Sequence, residues 1–199
     1  KRQGISRSNA YNSLASMTEK GAAYLVEEAS TRKYVPVPLN EFCKNRIRKL
    51  EESGKWLQEH MPTEKAYVEG YITIEGAENI LNKIKNLLSQ VDQRVYISCT
   101  RNYLLLLIRE LDTLMEERKK VVIITDQPAT FHNAKVYFGE NRGMQIGIIA
   151  DSKYVLTGEY GEGSMNTCLY SGQKNFVELY KTALANEIKL LSIREENKD

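Results

Sequence analysis

The sequence predicts an α/β protein in two parts: a small helix-and-hairpin front end, then, behind a long polar helix, an α/β domain with a mixed sheet. Three observations carry this. Hydrophobic spacing alternates between strand and helix periods in a β-α-β-α-β order through the middle of the chain, which implies parallel strands joined by helical crossovers. Four strand patterns then follow one another without helices between them. Charge is also divided, with 11 Lys and Arg against 7 Asp and Glu in residues 1–60, and 17 against 19 in residues 61–199. A basic front on a mildly acidic body points to an anionic partner for the front alone.

Residues 6–20 read as a helix. Ser6 is placed to cap it, Ala10, Leu14 and Met17 recur at helical spacing, and Lys20-Gly21 supply a basic last turn and a stop. Tyr24-Leu25-Val26 and the run from Lys33 to Val37 flank a polar tip at 28–32, a hairpin pattern. After Pro38 comes a charged helix over 39–59 with sparse apolar residues, interrupted by Gly54. A helix this polar suits a connector or dimer-forming element better than a core. Met61-Pro62-Thr63 marks a boundary.

In the second part, strands are expected at Tyr67–Ile74, Arg94–Ser98 and Val121–Thr125. Helices are expected through Ile80–Val91 and as one piece over 102–118. Further strands follow at Ala134–Phe138, Met144–Ala150, Lys153–Thr157 and Met165–Tyr170, then a helix from Gln173 to Ile193. The domain division expected is 1–38, 39–62 and 63–199.

Composition excludes several classes. The formal net charge of +2 is not that of a polycation, and 42% hydrophobic residues are enough for a core. Three scattered cysteines (Cys43, Cys99, Cys168) and two histidines (His60, His132) contain no metal-ligand spacing, so no metal and no cofactor are expected. The longest apolar run, Leu104 to Ile108, is too short to cross a bilayer. Reduced thiols and a cytoplasmic location without a leader segment are expected. The sequence opens at Lys1 directly on the front motif, as expected of a piece trimmed from a longer chain.

A capped helix, a glycine and a basic-tipped hairpin follow the order of the second half of a winged helix-turn-helix. Such a helix enters the major groove with its N-terminus leading, so its early polar residues meet base edges and phosphates. Here those are Arg7, Ser8, Asn9, Asn12 and Ser13. Arg can bridge guanine O6 and N7, and Asn can bridge adenine N6 and N7. Arg32 and Lys33 on the hairpin reach for neighbouring phosphates. The bland alternative is a solvated amphipathic helix beside an ordinary hairpin.

The run GISRSNAYNSLASMTEKGAAYLVEEASTRKYVPVP resembles the DNA-binding end of the TrmB-like transcriptional regulators. Gly4, Ser6, Arg7, Tyr11, Leu14, Lys20, Gly21, Tyr34 and Val37 stand where that family's motif has them, with Met17 for its last leucine. The family's earlier helices are not in this sequence. YITIEGAENILNKIKNLLSQVDQRVYIS is similar to the start of the family's second domain, so the resemblance spans nearly the whole chain. It implies a phospholipase D-like effector domain. TrmB-like proteins of archaea respond to sugars, whereas many bacterial members have unknown ligands.

The phospholipase D signature is H-x-K-x4-D-x6-G-S, with His as nucleophile and Lys on the phosphate. Aligned on Asp151, Gly158 falls on the signature glycine, but Met144, Ile146 and Glu159 replace the His, Lys and Ser. No enzyme is expected by that route. Met144 and Ile146, two apart on one strand, are both expected to be buried. His132 and Lys135 have a spacing that does not place them on one strand face.

Ligands of parallel sheets bind beyond the C-terminal strand ends. That rule selects Ser98, Thr100 and Arg101 after one strand, and Thr125, Asp126 and Gln127 after another, with Asp151 added from the signature. Each is also a plausible cap or turn residue, Thr100 above all. The reading expected is a homodimeric regulator, with double-stranded DNA and a small-molecule effector, in one version a sugar, as partners. Two others stay open: a phosphodiesterase using His132, and a dimeric interaction module that binds no DNA.

Overall fold

The computed structural model describes residues 4, 6–28, 31–61, 70–128, 131–140 and 142–196. The chain divides into two compact units, Lys1–Lys65 and Ala66–Asp199.

The first unit opens with α1, Arg7–Glu19. Ser6 is extended and its hydroxyl accepts from the Asn9 N–H at 3.3 Å, which satisfies one of the amides left free at a helix start. Gly21 closes the helix at φ 71°, a backbone conformation glycine adopts without penalty. The hairpin pairs β1, Ala23–Glu28, with β2, Thr31–Pro36; residues 29 and 30 of the expected tip, like Ile5 before α1, lie outside the described residues. Helix α2 runs unbroken from Leu39 to His60. Gly54 was expected to interrupt it, but one glycine loses only about 1 kcal/mol against alanine and 21 other residues carry the helix. The Tyr24 hydroxyl donates to Glu41 Oε1 at 2.5 Å, tying the first turn of α2 to the hairpin. No residue of α2 is buried in this unit.

The second unit is a seven-stranded mixed sheet with helices on both faces. Strands β3 (Tyr71–Glu75), β4 (Arg94–Ser98), β5 (Lys120–Thr125), β6 (Ala134–Phe138), β7 (Gln145–Ala150), β8 (Tyr154–Glu159) and β9 (Thr167–Ser171) stand in the order β3-β9-β8-β7-β4-β5-β6. β4, β5 and β6 are parallel neighbours, and all other pairs are antiparallel. Of the strand expected at 67–74, residues 67–69 lie outside the described residues, as do Pro62 and Thr63 of the expected boundary.

Alternation along the strands divides the core in two. Val95, Ile97, Ile123, Ile146 and Ile148 pack against α3 (Ala77–Ser89) and α5 (Ile108–Glu116). Val122, Ile124, Ile149 and Val155 face α6, Lys174–Glu196. The single helix expected over 102–118 is instead α4 (Arg101–Leu104), a 3-10 turn at Leu105–Leu107, and α5. The reason lies in the leucine run: a 3-10 turn stacks residues three apart, which buries Leu104 and Leu107 together and leaves Leu105 and Leu106 outside.

Candidate nucleic-acid interface and effector pocket

On α1 the spacing of three and four residues gathers Ser8, Asn9, Asn12 and Ser13 on one face, all exposed. Arg7 is exposed too, but it begins the stripe of Ala10 and Leu14, so it flanks this face instead of joining it. On the hairpin, Arg32 sits directly across from Glu27 and donates to its carboxylate at 2.9 Å, an exposed pair worth little on its own. Lys33 next to it is exposed. The helix presents two amides and two hydroxyls, the groups that read base edges, and the hairpin brings two exposed cations, of which Arg32 pairs with Glu27.

In the second unit, the ends of β4 and β8 and the start of β7 meet under α6 around a cavity of about 390 Å³. Its walls carry Ser98, Gln145, Thr157, Tyr180, Glu187 and Arg142. Arg142 is the centre. Its side chain is only 10% exposed; Nη1 donates to the Ser98 hydroxyl at 2.5 Å, and Nη2 pairs with Glu187. Its Nε is buried with no partner in the described structure. An unsatisfied buried N–H costs roughly 1–3 kcal/mol, so this donor is available to a ligand acceptor. Tyr180 accepts a hydrogen bond from Thr157 at 2.9 Å, and burial pushes its phenol above the usual range. Gly147 makes room for it, since a Cβ there would stand 2.0 Å from the Tyr180 oxygen.

Of the residues selected from sequence, Ser98 lines this cavity. Thr100 is the N-cap residue of α4, but its hydroxyl makes no cap bond; Asp126 does so from the end of β5, accepting from the Arg101 N–H at 2.8 Å. The Thr125 hydroxyl donates to the same Asp126 oxygen at 3.4 Å. Asp151 is not brought together with these residues. It lies in the β7–β8 turn at the opposite end of β4, and its carboxylate accepts from the N–H groups of Asp92, Gln93 and Arg94 at 2.8, 2.8 and 2.9 Å. Burial raises its pKa, but these three bonds and the charge of Lys153 outweigh that and hold the carboxyl below the usual range.

The signature positions divide as well. Ile146 is 2% exposed in the core, as expected, but Met144 is 39% exposed. Met144 precedes β7 instead of sitting in it, so the two-residue alternation does not extend to it. Gly158 has a backbone reason to be glycine: a Cβ would stand 2.2 Å from the Thr167 carbonyl on β9. His132 is exposed in the turn before β6. Cys99 and Cys168 are buried, which pushes their thiols up to about 12 and about 11. Among the described residues no cluster of His, Cys, Asp and Glu could hold a metal ion, and no helix is long and apolar enough to cross a membrane.

Sequence reasoning missed Arg142, Thr157, Tyr180 and Glu187. One signal was available: Gly147 in the otherwise apolar strand QIGIIA marks a close approach from outside the sheet.

No family model matches the chain. It is 29% identical over 141 residues to an uncharacterized protein of Bacillus subtilis (strain 168), YrhO; the match covers 69% of this chain and 50% of that protein, so the chain spans half the length of this relative. Among solved structures, it is similar to TrmBL2, an archaeal chromatin protein whose structure shows a novel mode of DNA binding, with TM-score 0.49 and 17% identity over 93% of this chain and 82% of that one. It is similar to NucT from Helicobacter pylori, with TM-score 0.48 and 16% identity over 60% of this chain and 97% of that one. It is also similar to Nuc, a phospholipase D family member from Salmonella typhimurium, with TM-score 0.46 and 10% identity over 59% and 92%. Likenesses at this level leave the function to be argued from the residues themselves.

Proposed function

We propose that the chain is part of a DNA-binding transcriptional regulator, with residues 1–38 as a partial winged helix-turn-helix, 39–62 as a dimerisation helix and 63–199 as a metabolite-sensing domain. The observation that carries this is the Ser6-capped α1, whose exposed Ser8, Asn9, Asn12 and Ser13 share one face ahead of a hairpin bearing Arg32 and Lys33. That arrangement suits a helix seated N-terminus first in the major groove, with Asn9 and Asn12 on base edges and the hairpin on phosphates. Arg7, on the flank of that face, suits an adjacent phosphate or guanine.

The dimer reading rests on α2. Cys43, Ile47, Leu50, Gly54, Leu57 and Met61 recur at alternating spacings of four and three, the period of a two-stranded coiled coil. Leu50 is 75% exposed and Leu57 46%, and burial against a second copy is the economical use of that stripe. In a parallel pair the flanking Arg46 faces the oppositely charged Glu51 of the other helix, one heptad register along. The pair fixes the spacing of two recognition helices on half-sites.

The sensing reading rests on the Arg142 cavity. Two hydroxyls, a phenol, an amide, two carboxylates (Glu159 and Glu187) and a guanidinium with a spare N–H suit a small polar metabolite of the sugar or polyol class. Occupancy would bias the dimer spacing and so couple ligand to DNA affinity. The test is selection of bound duplexes from a random pool, followed by titration of the winner. A single enriched motif whose binding is lost in Asn9→Ala supports the reading; no enrichment over the starting pool refutes it.

A further inference from the structure

A second cavity lies under α6 at the other end of the sheet, with a volume of about 340 Å³. Its chemistry differs from that of the Arg142 cavity. β4 and β5 are in register so that Arg94 and Lys120 are direct neighbours, and both point to the α6 side because Tyr96 and Val122, two residues on, pack there. Strands are about 4.8 Å apart, and like charges side by side at that distance destabilise a sheet. One row further along stands Lys135, opposite Val122 on β6. From above, α6 adds Lys181.

Among the described residues that line this cavity there is no carboxylate. The acids nearby are already engaged: Glu178 with Lys181 at 2.9 Å in the open, and Asp151 with three backbone amides. Lys120 and Lys135 stand over the rings of Tyr96 and Tyr137, at 5.8 and 5.0 Å from their centroids. The floor is apolar, made by Val122 and Ile149 between the two tyrosines, and Leu184 adds an aliphatic contact from α6. A rim of cations over an aromatic and aliphatic floor, with Arg94 and Lys120 side by side and no acid among the lining residues, is the complement of an anion that carries an apolar body.

We propose that this cavity binds a small organic phosphate with an aromatic or aliphatic body. The phosphate would sit between Arg94 and Lys120, with Lys181 closing from α6, and relieve the repulsion between the two neighbours. Its body would lie on Tyr96 and Tyr137. A dianion matches the adjacent Arg94 and Lys120 better than a monoanion does. Leu184 is the one lining residue it shares with the Arg142 cavity, and none of its cations or tyrosines line that cavity, so phosphate binding is tested independently of DNA binding and of polyol sensing.

The test is calorimetric titration of the full chain at fixed ionic strength with phenyl phosphate, inorganic phosphate and phenol. Phenyl phosphate should bind saturably, inorganic phosphate about tenfold or more weakly because the ring burial is lost, and phenol not measurably. Binding should vanish in Arg94→Gln and in Lys120→Gln. Both variants should melt at or above the temperature of the unliganded parent, since each removes one of two repelling charges. Failure of phenyl phosphate to bind at about ten millimolar, some ten-thousandfold above a micromolar Kd, overturns the proposal. So does binding that persists undiminished in both variants, and equal binding of inorganic phosphate removes the apolar body from it.

Discussion

Asp151 holds the β7–β8 turn against the start of β4, and its removal should be among the more damaging single changes in the second unit. Its two oxygens accept three backbone N–H groups at 2.8–2.9 Å. Hydrogen bonds to a charged acceptor contribute about 1.5–3 kcal/mol each. The carboxylate is only partly buried and the amides of residues 92–94 can turn to water, so solvent discounts the sum. A loss of about 2–4 kcal/mol is expected for Asp151→Ala, including a share for placing alanine at φ 50°. Asp151→Asn isolates the charge: asparagine tolerates the same backbone, keeps one acceptor oxygen and loses about half as much.

The assay is urea unfolding followed by far-ultraviolet circular dichroism. Tryptophan emission does not serve, because the sole tryptophan, Trp56, lies in α2 of the other unit. The pH dependence adds a second reading. Because the folded carboxyl titrates below its ordinary value, its stabilisation is complete above the unfolded pKa of about 3.9 and disappears as pH falls through the lower folded value. The gap between parent and Asp151→Asn should therefore be constant from pH 5 to 8 and close below about pH 4. A gap under about 0.5 kcal/mol at pH 7, the range of neutral surface changes, would refute the argument.

Other outcomes follow from the same geometry. Gly147→Ala drives a Cβ into the Tyr180 hydroxyl and should destabilise the chain by about 1–3 kcal/mol, with part of the loss recovered in the Gly147→Ala, Tyr180→Phe double variant in a denaturation cycle. Ile146→Ala should cost about 2–5 kcal/mol, whereas Met144→Ala, at a half-open position, should cost under about 1 kcal/mol by the same unfolding measurement. Sedimentation at tens of micromolar should find a dimer that Leu50→Glu converts to monomer. Cys43 lies on the same seam, so mild oxidant should cross-link the two chains in the parent but not in Cys43→Ser.

Much of the framework could be read from periodicity. The amphipathic α3 came from three-four spacing because it buries one apolar face, and β5 from a short, wholly apolar run that the sheet buries on both faces. The break at Leu105–Leu107 did not, since a run of leucines satisfies an α-helical and a 3-10 pattern equally well. The strand ends were placed within a few residues, yet that was enough to misplace Met144, where one residue separates a buried strand position from an open loop.

Site residues were harder. Ser98 followed from the rule about parallel strand ends, but its partner Arg142 comes from a loop 44 residues later, and Glu187 from another helix. Nothing local in the sequence joins them. Asp126 and Asp151 carry the residue type of a ligand-binding acid, and the structure spends their oxygens on backbone amides instead. The cation row was invisible for a similar reason: Arg94, Lys120 and Lys135 are unremarkable singly and become neighbours only through strand register.

The central claim is that α1 reads bases while the hairpin holds the backbone, and the salt dependence of DNA affinity separates the two most directly. For the duplex enriched by the full chain, Asn9→Ala should weaken specific binding by about 1–3 kcal/mol and leave the slope of log K against log salt unchanged. Lys33→Ala should weaken specific and random duplexes alike and flatten that slope by about one ion. A slope near zero in the parent, or equal and sequence-blind losses in both variants, would contradict base reading by this helix.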